Sequence, residues 1–224
     1  MSKVVIVGAG KIADEAYFYL TNDSEHDVVA FSVDRDFVGE GKKLGLPVVA
    51  FEDVEQAYPP GDYKMFVAIG YQDLNRLRAG KYEAAKAKGY ELISYVSSRA
   101  ANFGSVEVGD NCFILEFVSI QPCSKIGNNV FLWPNATVGH HATIQDHCYI
   151  VAGAVIAGNA VVEPRCFLGV QSGVGHEIRV GEGSFLGAGV IVTKDVEPKS
   201  VFIAADTPKF RLDADMFLRL TKMK

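Results

Sequence analysis

The residues best equipped for chemistry crowd into one stretch, "VGHHATIQDHCYI" (Val138 to Ile150). It holds three of the chain's five histidines: His140, His141 and His147. An imidazole titrates near neutrality and can take or give a proton during a reaction. A fourth histidine, His176, is followed by Glu177, a carboxylate able to orient a ring. The four cysteines, at 112, 123, 148 and 166, form no CxxC pair and no His/Cys ligand spacing. They read as reduced, buried thiols, and the sequence predicts no metal site.

What positions these residues is a repeat. From Val108, every sixth residue as far as Val192 is Val, Ile or Leu, fifteen positions without exception. Two residues before each stands a second, mostly small series, among them Cys112, Ser124, Ala136, Ala142, Cys148, Ala154, Ala160 and Cys166. One large aliphatic and one small inward residue per hexad is the pattern of a parallel β-helix. Glycine often follows the aliphatic residue, as in "VGDN" and "IGNN", and is expected to let the chain turn a corner there. Three hexads make one coil of 18 residues, so residues 18 apart should stack roughly 4.8 Å apart.

Stacking sorts the histidines. "QPC" at 121, "GHH" at 139, "AGN" at 157 and "GHE" at 175 fall on one corner. His140 therefore lies below Gly158, and Gly158 below His176. An imidazole and a glycine amide on one edge are two parts that acyl transfer needs, a base for the nucleophile and a donor for the carbonyl oxygen. His147 falls on a different corner and reads as a solvated turn residue. Cys148 and Cys166 share a column one coil apart and read as small rung residues.

The first half alternates element types. "KVVIVGAG" and "DVVAFSVD" read as buried parallel strands with the helix "KIADEAYFYLTND" between them. "KMFVAIG" is another strand, a helix follows from about Gln72 to Lys88, and "YELISYV" closes the unit. This is a small Rossmann-like domain. The glycines of "GAGKIA" permit close backbone approach to a ligand, and Asp34, at the end of the second strand, can meet a ribose hydroxyl. The expected boundaries are 1–98 for this α/β Rossmann-like domain, 103–196 for the β-helix and 197–224 for a tail. A net charge of −5 without a basic cluster gives no footprint for nucleic acid. No apolar run nears the roughly 20 residues that span a bilayer, and the N-terminus is not a signal peptide, so no membrane insertion and a cytoplasmic location are expected.

With "VVIVGAGKIADE", "FVAIGYQDLNRLR", "SIQPCSKIGNNVFLW", "VGHHATIQDHCYI", "NAVVEPRCFLGVQS" and "FLGAGVIVTKDVEPKSVF", nearly the whole chain resembles the bacterial sugar acyltransferases of the sialic-acid O-acetyltransferase-like group. That resemblance implies a left-handed hexapeptide-repeat β-helix, a homotrimer, and acetyl-CoA or another acyl-CoA as co-substrate, with no metal. It implies a nucleotide-linked amino sugar (UDP, dTDP or GDP) as acceptor, for surface polysaccharide synthesis. By the same resemblance His140 matches the catalytic base, with His141 beside it, and Gly158 the amide that holds the acyl carbonyl. Acyl-CoA would meet Gly158, His176, Gly187, Ala188, Ala205 and Lys209. The sugar nucleotide would meet Gly8, Gly10, Asp34, Asp36 and Gly70.

Three departures mark this chain. The acid that often follows the catalytic histidine is His141 here. An Asn found seven residues before it in some relatives is Trp133. A C-terminal G-x-P-A is replaced by "IAADTPKF", and the tail from Phe210 to Lys224 is amphipathic. The function expected is N-acylation of an amino sugar. The alternatives are sugar O-acetylation and a catalytically idle scaffold or regulator, and His176–Glu177 is a rival to His140 as the base.

Overall fold

A computed structural model describes residues 2–102 and 106–221. The expected boundary at 103 and the last residues of the tail therefore fall outside the described residues. The N-terminal unit is a five-stranded sheet in the order β3-β4-β2-β1-β5. Its elements are β1 (Lys3–Val7), α1 (Lys11–Asn22), β2 (Asp27–Val33), β3 (Lys42–Lys43), β4 (Leu46–Ala50), α2 (Val54–Ala57), β5 (Tyr63–Val67) and α3 (Arg76–Ala87). All pairs are parallel except the β3–β4 hairpin. Val4, Val5 and Ile6 are fully buried, as a strand covered on both faces requires. α3 begins later than the periodicity predicts. Asp73, Leu74 and Asn75 all take left-handed conformations, which delay the first helical turn to Arg76.

The second unit is a left-handed β-helix of two-residue rungs on three faces. Register is 18 residues between successive rungs, for example Thr137 with Val155 and Val155 with Gly173. The aliphatic series and the small series both point inward and form one continuous core. Two parts of the sequence reading need correction. "YELISYV" is divided between the two units: Glu91 and Ile93 hydrogen-bond Met65 at the edge of the Rossmann-like sheet, and the rest does not. Leu92 bridges Met65, but Tyr95–Val96 is already the first rung of the β-helix, paired with Phe113–Ile114. The corner glycines also act differently from expectation. The left-handed residue is the third of each corner, such as Asn111, Asn129, His141, His147 and Asn159. The first-position glycines are needed because the next coil lies against them. A Cβ on Gly169 would stand 2.7 Å from the Ala188 nitrogen, and one on Gly139 would stand 2.5 Å from the Gly158 nitrogen.

The faces differ in what their outward residues meet. Phe113, Phe131, Tyr149, Phe167 and Phe185 form a ladder on one face. The Rossmann-like domain covers it, with Phe66 stacked on Phe131 at 6.1 Å. The second face presents Ser119, Thr137, Val155, Gly173 and Ile191, none of them charged. The third presents Lys125, Thr143, Val161 and Arg179. The chain then leaves the β-helix at Val201–Phe202 and ends in α4 (Ala214–Thr221), an amphipathic helix with no buried residue. Its Phe217 ring meets Phe210 of the preceding arm edge-on, with centroids 5.7 Å apart.

Candidate active site

The edge between the uncharged face and the third face carries "GHH", "AGN" and "GHE". His140 is exposed, and its backbone N–H donates to the Gln121 side-chain oxygen at 2.9 Å, which ties the turn to the coil below. Its ring lies on Gly158. A Cβ there would be 2.6 Å from both Nε2 and Cε1 of His140, so only glycine admits the ring in this place. His140 Nδ1 and His141 Nδ1 are 3.2 Å apart, a hydrogen bond in which one ring donates and the other accepts. His176 is on the same edge, its ring centroid 6.3 Å from that of His140, with Nε2 3.4 Å from Glu177. The structure thus brings together His140, His141, Gly158 and His176.

The other expected acyl-CoA contacts lie across the uncharged face. Gly187 and Ala188 occupy the corner between that face and the aromatic ladder, and Ala205 and Lys209 follow in the exposed arm. An uncharged strip bounded by His140 on one edge and Ala188 on the other suits the slender, neutral pantetheine arm of a coenzyme A thioester. Among the described residues no group of three or more His, Cys, Asp or Glu could hold a metal ion.

The expected sugar-nucleotide residues mostly line a cleft of about 340 Å³ at the carboxyl ends of the strands, where open α/β sheets bind ligands. Gly8 has φ +122°, and a Cβ there would meet the Ala68 carbonyl at 2.7 Å. Gly10 opens α1 with free space around it. Asp34 faces the cleft in an ion pair with Lys81. Asp36 is exposed on the following 3₁₀ turn and does not line the cleft. Gly70 lines an adjoining cleft, and its carbonyl accepts from Arg78 at 3.2 Å.

His147 is not a solvated turn residue. It is half-buried at the seam between the domains. Its Nδ1 is 2.9 Å from the Asn129 amide, its ring packs on Tyr82, and burial lowers its pKa. The same seam holds Arg78, fully buried, whose guanidinium donates to the carbonyl oxygens of Gly70, His147, Cys148 and Asn129 and to the Asn129 side chain. Burial lowers its pKa to about 10. Cys148 and Cys166 are buried rung residues whose thiols point to coil carbonyls, whereas Cys123 is exposed, because it takes the outward left-handed corner position.

Sequence reasoning missed Lys81, Ser32 and Phe51 in the cleft. The available signal was the spacing of Leu77 and Lys81, four apart on α3, which puts both on the face toward the strand ends.

Known proteins share this fold. PerB from Caulobacter crescentus, solved in complex with CoA and GDP-perosamine, shares 26% identity over 90% of this chain and 93% of its own, with a TM-score of 0.79. The acetyltransferase domain of PglB from Neisseria gonorrhoeae FA1090 shares 25% identity over 88% and 93%, with a TM-score of 0.75. Over nearly its whole length the chain is similar in fold and sequence to these hexapeptide-repeat left-handed β-helix acetyltransferases. WeeI from Acinetobacter baumannii AYE, 19% identical with a TM-score of 0.77 over 91% of this chain and 97% of its own, has the same fold. Within the β-helix and arm, residues 108–208 also match the model of the GMPPB C-terminal domain.

Proposed function

We propose that this chain is an N-acyltransferase that moves an acyl group from acyl-CoA to the amine of a nucleotide-linked amino sugar. The observation that carries this reading is the His140 ring seated on Gly158, beside an uncharged face that fits the pantetheine arm. The PerB complex with CoA and GDP-perosamine supports the same pairing of donor and acceptor.

The amine nitrogen bonds to the thioester carbonyl carbon, the C–S bond breaks, and CoA leaves as the thiol with the proton that His140 has taken up. His141 occupies His140 Nδ1, which leaves Nε2 to take the proton of the attacking amine. The Gly158 N–H donates to no acceptor among the described residues, which suits it to the developing oxyanion, a contribution of about 3 kcal/mol in comparable sites.

A homotrimer, in which subunits share the site, is the assembly we infer, and the placing of the two sites supports it. The Rossmann-like domain covers the aromatic face, whereas His140 stands on the edge opposite that face. A nucleotide in the cleft of one subunit would therefore reach the His140 edge of another. Mixing His140→Ala with a cleft variant, Gly8→Val, tests this: restored activity supports a shared site, and none contradicts it. A cytoplasmic location fits the two substrates; no helix among the described residues is long and apolar enough to cross a membrane.

The direct test of the function is release of free CoA thiol from acetyl-CoA with a panel of UDP-, dTDP- and GDP-linked 3- and 4-amino sugars. Release with an amine supports the reading. Release only with hydroxyl sugars makes it an O-acetyltransferase, and none with any acceptor or acyl chain leaves the scaffold.

A further inference from the structure

The C-terminal arm ends in a helix whose apolar side stays open. α4 has a built start: the Asp213 carboxylate accepts from the Met216 N–H at 2.8 Å and caps it. Near its end the Thr221 hydroxyl donates to the Phe217 carbonyl at 2.9 Å. At about 100° per residue, Met216, Phe217 and Leu220 fall on one side of α4. Asp215 and Arg219, four apart, form a narrow polar strip on the other. Met216 is 55% exposed and Leu220 68%. The Phe210 ring, edge-on to Phe217, extends the apolar side into the arm. A helix of 8 residues is marginal in water without a surface to pack on. α4 therefore needs a partner beyond its own chain.

Charge identifies the kind of partner. From Lys209 to Lys224 five basic residues stand against two acidic ones, although the whole chain is net −5. Of the two acids, Asp213 is engaged in the cap. A second copy of this chain answers only half of that chemistry. Its uncharged face exposes Val155 and Ile191 but offers no acid to Arg211, Arg219, Lys222 or Lys224. An anionic bilayer supplies both halves: acyl chains for Phe217 and Leu220, and phosphates within reach of long basic side chains.

We propose that α4, with the basic residues around it, seats this protein on an anionic lipid surface, its apolar side at the acyl boundary. The helix lies on that surface and does not span it, since it has 8 residues and a span needs about 20. The proposal is independent of the acyl-transfer reading, because no residue of α4 belongs to the His140 edge or to the strand-end cleft.

The test is co-sedimentation of the full chain with two kinds of vesicle, phosphatidylcholine alone and phosphatidylcholine mixed with phosphatidylglycerol, at low and high salt. The double variants Phe217→Ser/Leu220→Ser and Arg211→Gln/Arg219→Gln run beside the wild type. The wild type should partition about tenfold or more strongly onto the mixed vesicles, and high salt should remove most of that preference. The first variant should lose binding, and the second should weaken it about tenfold. Melting temperature without vesicles should be unchanged in both. Binding that survives Phe217→Ser/Leu220→Ser overturns the proposal, as does a wild type that binds neither vesicle or binds both equally. So does a lipid-free mass, read by light scattering, that falls in the first variant, because it would place α4 on a second copy of this chain.

Discussion

The His140 ring rests directly on Gly158, one coil above it, with Nε2 2.6 Å from where a Cβ would be. The pair is a side chain on a backbone, so enlarging the glycine moves the base. Gly158→Ala should cost little stability, since the atoms in its way belong to an exposed side chain that can swing outward. It should cost about 100-fold in turnover, because small displacements of a catalytic group are expensive. Steady-state kinetics beside a melting curve measures both. A loss of turnover matched by a collapse in melting temperature would show Gly158 to be structural instead.

Arg78 ties the two domains together through four carbonyl acceptors on the β-helix, two of them on Asn129, holds the Gly70 carbonyl of its own domain, and stacks 4.4 Å from the Phe131 ring. Arg78→Met keeps much of the packing but leaves those acceptors short of a donor. The expected cost is about 3 kcal/mol, read from urea unfolding. Arg78→Lys should rescue little, since an ammonium cannot reach acceptors spread in a plane.

Glycines predict opposite outcomes by position. Gly169→Ala would drive a Cβ into the backbone of the next coil and should destabilise by about 2 kcal/mol. Gly80, exposed inside α3 with nothing within 4 Å, should gain up to about 1 kcal/mol as Ala. Thermal unfolding of the two variants side by side checks the contrast.

Much of this was readable beforehand. The hexad pattern places the rungs from Val108 to Val192, because inward residues in a coil must alternate large and small to fill it; the end rungs at Tyr95–Val96, Ala101–Asn102 and Val201–Phe202 lie outside it. The stacking of His140 under Gly158 follows from that spacing alone. The domain seam was hidden, because an arginine on a polar helix such as Arg78 looks solvated until a partner surface covers it. His147 was misread for the same reason. Lys81 escaped notice because its meaning lies in a contact with Asp34, 47 residues away.

Acid should loosen the seam. Asp23 accepts from the Tyr95 hydroxyl at 2.6 Å, the Ser98 N–H at 2.9 Å and the Ser97 hydroxyl, and these bonds lower its pKa from 3.8 to about 2. A carboxylate with a lowered folded pKa stabilises fully above its unfolded value and loses that contribution as the pH falls toward the folded one. Stability should therefore fall between about pH 4 and pH 2 through this group. Asp23→Asn should be less stable at neutral pH and show a flatter fall across that window, as measured by denaturant unfolding at each pH.

The most direct test of the central claim compares acetyl transfer to the accepted amino sugar by the wild type and by His140→Ala. The account predicts a fall in kcat of about 100-fold or more, with nucleotide and acetyl-CoA binding unchanged. A variant that transfers acetyl within a few-fold of the wild-type rate would contradict it, and would move the base to His176 or leave the reaction without one.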